Sequence, residues 1–153
     1  MQNRPPKWDE QALRDGLEFV RLGFGDLRED GHFYSHDFRT QFLPTRLAHV
    51  LIRSVATVNG FVGDAVANGI ARYKGKVSGW SFGREGSPVL YVRFPHTTNQ
   101  IEDEETWIVG PRISEREHLD LVNDVQHLFI DSLGADEVGF VDGHKHELRI
   151  WWG

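Results

Sequence analysis

A chain of 153 residues, 39% hydrophobic and 12% aromatic, can bury about two-thirds of its unfolded surface, so one domain over residues 1–153 needs no metal or disulfide staple. Cysteine is absent, which excludes disulfides, thiolate catalysis and Cys-ligated zinc. The net charge of −6 is uneven: residues 1–75 hold ten Lys/Arg against nine Asp/Glu, a net of +1, and residues 76–153 hold seven against fourteen, a net of −7.

An acidic second half repels phosphate backbones, and the basic residues are scattered rather than striped, so nucleic acid is not an expected partner. Residues 1–7 lack the apolar stretch of a secretion signal. The most apolar region, 47–58, is interrupted by His49, Arg53 and Ser54 and falls short of the roughly 20 residues of a membrane span. The expectation is a soluble, cytoplasmic protein with no membrane partner and no cofactor.

Trp8-Asp9 opens the first predicted helix, with Asp9 as N-cap, Trp8 stapled onto Leu13, and Leu13, Leu17 and Val20 as its stripe. Gly23 and Gly25 end it. Residues 26–44, with an Asp30-Gly31 turn, have no clean period and read mostly as loop. Thr45 caps a second helix with Leu47, Leu51, Ser54, Val55 and Val58 inward, and Asn59-Gly60 suits its C-terminus. A third follows with Val62, Ala65, Val66, Ile70 and Tyr73 on one face, closed by Gly75. Residues 45–75 read as a helical hairpin or as one bent helix, and the valine-rich run 54–58 is compatible with strand.

From Lys76 the pattern alternates. Val77–Phe82 and Val89–Phe94 read as strands joined by a loop at 83–88, and Thr106–Val109 as a third strand. Ser114-Glu115-Arg116-Glu117 is a capping box for a helix whose buried stripe is Leu119, Val122, Val125, Phe129 and Leu133, with Gly134 at its end. A C-terminal hairpin follows. Its alternation favours a three-residue loop, Asp142-Gly143-His144, that pairs Phe140 with His146 and Val138 with Leu148. The fold class is therefore α+β: N-terminal helices, then a mostly antiparallel five-stranded sheet made of three strands, a long helix and a hairpin.

Five groups of residues carry possible chemistry. Gly79-Trp80-Ser81-Phe82-Gly83 matches the nucleophile-elbow pattern, but that motif works at a strand-to-helix turn and here another strand follows. His144-x-His146 places two imidazoles on one side of a strand, where with Glu147, His32 and His36 they suit a zinc shell; the three-residue loop diverts His144 from His146 and works against it. Glu102-Asp103-Glu104-Glu105 is a run of carboxylates without the alternation and glycine of a calcium loop, and suits docking of a cationic protein. Trp152 faces the core and Trp151 the opposite side beside Arg149, as an interface anchor if that face is open and as core if a second layer covers it. His96-Thr97-Thr98-Asn99-Gln100, with Tyr91 and Arg93, suits a polar pocket or a hydrated loop.

Two functions follow. The first is an acidic protein-interaction module, in its concrete form an inhibitor or immunity-type protein masking a basic partner, using Glu102, Asp103, Glu104, Glu105, Arg149 and Trp151. The alternative is a small histidine-dependent enzyme or metal- or ligand-binding protein built on His32, His36, His96, His144 and His146 with Asp37 and Asp142. Homo-oligomerisation through an edge strand or the Trp151 face is a third option.

Overall fold

Helical periodicity early and alternation late produce the two layers of an α+β fold. The computed structural model describes residues 6–24, 37–97, 112–142 and 144–153. Four helices pack on one face of a five-stranded antiparallel sheet. No helix among the described residues is long and apolar enough to cross a membrane.

Helix α1 (Pro6–Phe24) starts earlier than the Asp9 cap reading places it. Proline suits a first turn because its missing N–H would have no intrahelical partner there. Asp9 therefore lies inside the first turn, and Trp8 is 56% exposed instead of stapled onto Leu13. The buried row is Ala12, Gly16, Val20 and Phe24, with Leu13 and Leu17 on its flank. Gly16 has a packing role: a Cβ there would stand 3.0 Å from the side chains of both Leu51 and Thr40.

Helices α2 (Thr45–Arg53) and α3 (Gly63–Ala71) are separate. Pro44 holds the N-cap position of α2, and Thr45 does not cap; its hydroxyl accepts a 3.0 Å bond from the buried Trp80 indole. Asn59 and Gly60 have φ of +49° and +83°, between reciprocal backbone bonds joining Val58 and Phe61 (3.1 and 2.8 Å). The pair thus makes a tight reversal of the primed type rather than a helix C-cap. Tyr73 and Ile70 are buried as expected, whereas Val62 and Ala65 face out.

Strands β2 (Gly79–Glu85) and β3 (Ser87–Arg93) take in most of the expected loop. The reversal is confined to Gly86 (φ +68°), with Glu85 opposite Ser87. At the far side of β2 lies β1 (Phe38–Arg39), a two-residue strand inside the segment read as loop. Gly83 makes that pairing feasible, because a Cβ there would collide with the Phe38 carbonyl. The strand expected at 106–109 lies outside the described residues.

Helix α4 (Glu115–His127) begins at Ser114, whose hydroxyl accepts the Glu117 amide at 3.1 Å, half of the expected capping box. Its buried row is His118, Val122 and Val125, continuing to Phe129; His118 takes the place given to Leu119, which is 58% exposed. A π-helical turn, Leu128–Ser132, then inserts an extra residue and brings the Leu133 carbonyl within 2.9 Å of the Trp152 indole N–H. Gly134 closes the element with φ of +73°.

Strands β4 (Glu137–Val141) and β5 (His144–Trp151) form the last hairpin, giving the order β1-β2-β3-β5-β4. Phe140 pairs with Leu148 and Val138 with Ile150, and Val141 stands opposite His144, so the three-residue-loop register is wrong. Moving β5 by two residues leaves every side chain on its original face, so alternation could not separate the two registers. A bulge between Phe140 and Val141 absorbs the difference, so a tight reversal and apolar alternation coexist.

Between the layers, Phe61, Phe129 and Trp152 meet edge to face (4.7 and 5.9 Å between ring centroids), and Trp80 adjoins Phe129 at 6.1 Å. Each such buried ring contributes about 2–3 kcal/mol.

Replacing Gly83 by alanine should cost about 1–3 kcal/mol by forcing β1 away from β2. Gly139→Ala, whose Cβ meets nothing within 4 Å, should change stability by less than about 0.5 kcal/mol. Urea unfolding of the two variants measures the contrast.

Candidate functional site

Alternation along β2, β3 and β5 sends one set of side chains to the helices and the other to the opposite face. That second face carries Ser81, Tyr91, Arg93, Glu147, Arg149 and Trp151, joined by Arg39 from β1. No described helix packs there, yet Ser81, Val89, Tyr91 and Glu147 are buried. Charged and aromatic side chains supply the cover.

Glu147 is the hinge of this arrangement. Arg39 donates to it at 2.9 Å, and Arg93 approaches at 3.7 Å. Arg39 also donates to the Ser81 hydroxyl at 3.0 Å and lies over the Tyr91 ring at 3.7 Å. Phe42 meets both guanidiniums, Arg93 at 4.0 Å and Arg39 at 5.2 Å. Burial pulls the Arg93 guanidinium below its ordinary pKa, against the opposing field of Glu147. Of the three charges only Glu147 is buried, so removing its guanidinium partners would strand a desolvated carboxylate.

A second knot lies beside it. The Tyr91 hydroxyl donates to Glu85, Arg149 donates to Glu85 through Nε and Nη2 (3.0 and 2.8 Å), and Arg149 reaches Glu137 at 3.3 Å. Burial works against the Arg149 charge, but Glu85 and Tyr91 outweigh it and its pKa rises. The Trp151 indole donates to the Glu85 carbonyl at 3.0 Å. Arg149 and Trp151 thus share the outer face, as side-chain alternation predicts, and both are held by Glu85. Trp152 is fully buried.

Ser81 cannot act as a nucleophile-elbow serine. It lies inside β2, fully buried, and its hydroxyl donates to the Thr40 carbonyl at 2.6 Å. Among the histidines, His96 and His146 come together, with rings 4.8 Å apart and tilted by 34°. His118, not singled out from the sequence, meets Phe94 edge on at 5.7 Å, and the Phe94 amide donates to the His146 carbonyl. Phe94 thus touches His118 with its ring and His146 through the backbone, while His96 lies against the His146 ring. No group of three or more His, Asp or Glu among the described residues is placed to hold a metal. His96 and Thr97 are buried, and Thr98, Asn99 and Gln100 lie outside the described residues. Asp37 accepts the Gly86 amide at 2.9 Å, a turn contact, and Asp142 is exposed. His32, His36 and Glu102, Asp103, Glu104 and Glu105 lie outside the described residues, as does the His144 side chain.

The acidity concentrates on one segment. Between Arg112 and Asp142 there are eight Asp/Glu and two Lys/Arg. Glu115, Glu117, Asp120, Asp124, Asp131, Asp136, Glu137 and Asp142 are all exposed. Set among them are three exposed apolar residues, Leu119 (58%), Ile130 (42%) and Phe140 (49%).

The two described tyrosines predict an alkaline limit. Burial, then the hydrogen bond to Asp124, raises Tyr73; burial, then Glu85, raises Tyr91. The folded state keeps these protons above the ordinary phenol pKa of 10.0, where the unfolded chain releases them. Stability is therefore complete below pH 10 and falls as pH rises through the folded values. The urea midpoint should drop steeply above pH 10, and Tyr91→Phe and Tyr73→Phe should each flatten part of that drop.

Comparison with protein-family models, with curated proteins and with solved structures gives no match to this chain.

Proposed function

We propose that this protein is an acidic interaction module that binds a basic protein partner, with an inhibitor or immunity-type protein as its concrete form. The observation that carries the reading is the stretch from α4 to β4, which exposes eight carboxylates and, interspersed with them along the chain, Leu119, Ile130 and Phe140. Carboxylates of one sign steer a cation on approach, and desolvated apolar groups within them slow its departure. The acidic run Glu102 to Glu105 adds four carboxylates to the same half of the sequence, and the Arg149–Trp151 platform on the sheet adds an aromatic group held by Glu85. A cytoplasmic location accords with the cysteine-free composition.

A second reading, a metal- or ligand-binding protein, draws on the His96–His146 ring pair. It needs a further ligand such as His32, His36 or His144. Zinc retained at one equivalent after dialysis, and lost in His146→Ala, would favour it; metal-free protein removes it.

For the main reading, the partner is isolated on the immobilised protein from native extract, purified, and its association measured by stopped flow. Neutralising Glu102, Asp103, Glu104 and Glu105 to their amides, together with Glu115→Gln and Asp120→Asn, should slow association about tenfold at low salt and little at high salt. A rate insensitive to both salt and these substitutions rejects electrostatic recognition.

A further inference from the structure

Strand β4 ends the sheet, and its outward edge pairs with no described strand. The hydrogen-bond parity shows which groups point outward. The Trp152 amide donates to Pro88 and the Phe94 amide to His146, so the even-numbered residues of β5 bond to β3. The odd-numbered ones are left for β4, and the register sets Glu137 opposite Trp151 and Gly139 opposite Arg149. In an antiparallel ladder, hydrogen-bonded residues alternate with those whose N–H and C=O point away. Val138 and Phe140 therefore present their backbone groups to the open edge. Their side chains lie on the helix-layer face, Val138 half-buried against the core and Phe140 49% exposed. Gly139 between them is exposed and bare, with room for a neighbour.

We infer that β4 accepts an extended cationic segment of the partner as a sixth strand, one in which apolar residues alternate with lysine or arginine. This rests on the function proposed above and names the chemistry of the partner's contact. The strand's apolar residues would sit beside Val138 and Phe140, and its basic residues would meet Asp142 at one end, Asp136 at the other, whose Oδ2 also accepts the Gly153 amide, and Glu137 on the outer face, which they would share with Arg149. Main-chain bonds supply affinity in such additions, and alternate side chains supply selectivity. Charge selects this occupant over a second copy of the chain. The two-fold register that pairs Val138 with Phe140 of another copy sets Asp136 against Asp142 of that copy at both ends, and like charges directly opposite destabilise a ladder.

The test uses a heptapeptide alternating lysine and valine, N-methylated along one edge so that it cannot pair with itself, and its glutamate–valine counterpart. Amide hydrogen exchange should slow at Val138 and Phe140 and not at Gly139 with the lysine peptide, and nowhere with the glutamate peptide. Val138→Pro removes an outward N–H without touching the β4–β5 ladder and should weaken binding at least tenfold with an unchanged circular dichroism spectrum. If that variant loses its fold, Phe140→Lys decides, with the same expected loss. Equal binding by wild type and Phe140→Lys, protection away from β4, or dimerisation of the free protein through this edge would each overturn the inference. A purified partner that associates in a salt-dependent way, yet binds Phe140→Lys unchanged, would sink the edge and leave the acidic module standing.

Discussion

A sheet covered by helices on one side must still shield its other side, and here Glu147 makes that possible. Its carboxylate, 5% exposed, draws Arg39 and Arg93 flat across β2 and β3. The guanidiniums, stacked on the rings of Tyr91 and Phe42, then act as a thin second cover that keeps its charges partly in water. Strands β2 and β3 are buried on both faces in consequence, although the described helices cover only one. Ser81 and Thr40 complete the arrangement by bonding β1 to the same cluster.

The layer between helices and sheet obeys a different constraint, because both buried indoles must place their N–H groups. Trp80 uses the Thr45 hydroxyl and Trp152 uses the Leu133 carbonyl. Each solution alters a helix end. Thr45 gives up capping to accept the indole, and the π-helical turn after α4 carries Leu133 into position. These two departures from regular helix geometry give the Trp80 and Trp152 indoles their acceptors, which for a buried group avoids a penalty of about 1–3 kcal/mol.

Elements with a long period were legible in the sequence: α4 with its Ser114 start, β2, β3, and the inward Trp152 and outward Trp151 follow from spacing alone. What was hidden has physical reasons. Two residues of β1 are too few to show a period, and the strand exists because Gly83 lets the Phe38 carbonyl close in. The hairpin register was misjudged because a two-residue shift preserves every face. His118 was overlooked because hydrophobicity favoured Leu119 beside it, although Phe94 offers an imidazole a ring edge. The Arg39–Glu147 contact joins residues 108 apart, beyond the reach of any local pattern. The acidity of the second half was plain from counting, while the exposure of Leu119, Ile130 and Phe140 along the same stretch required the fold.

The strand order also bears on how the molecule reaches its native state. Strand β5, from the end of the sequence, lies inside the sheet between β3 and β4, while β1 borders β2. The ladder is therefore incomplete until remote parts of the chain have met, and the Arg39–Glu147 clasp closes only after β5 is inserted. Loop-closure entropy rises with such separations, and topologies rich in distant contacts fold slowly, in milliseconds to seconds. Until that insertion β3 has one unsatisfied edge, so the kinetics of assembly, more than the final contacts, set the period during which the chain is exposed to misassociation.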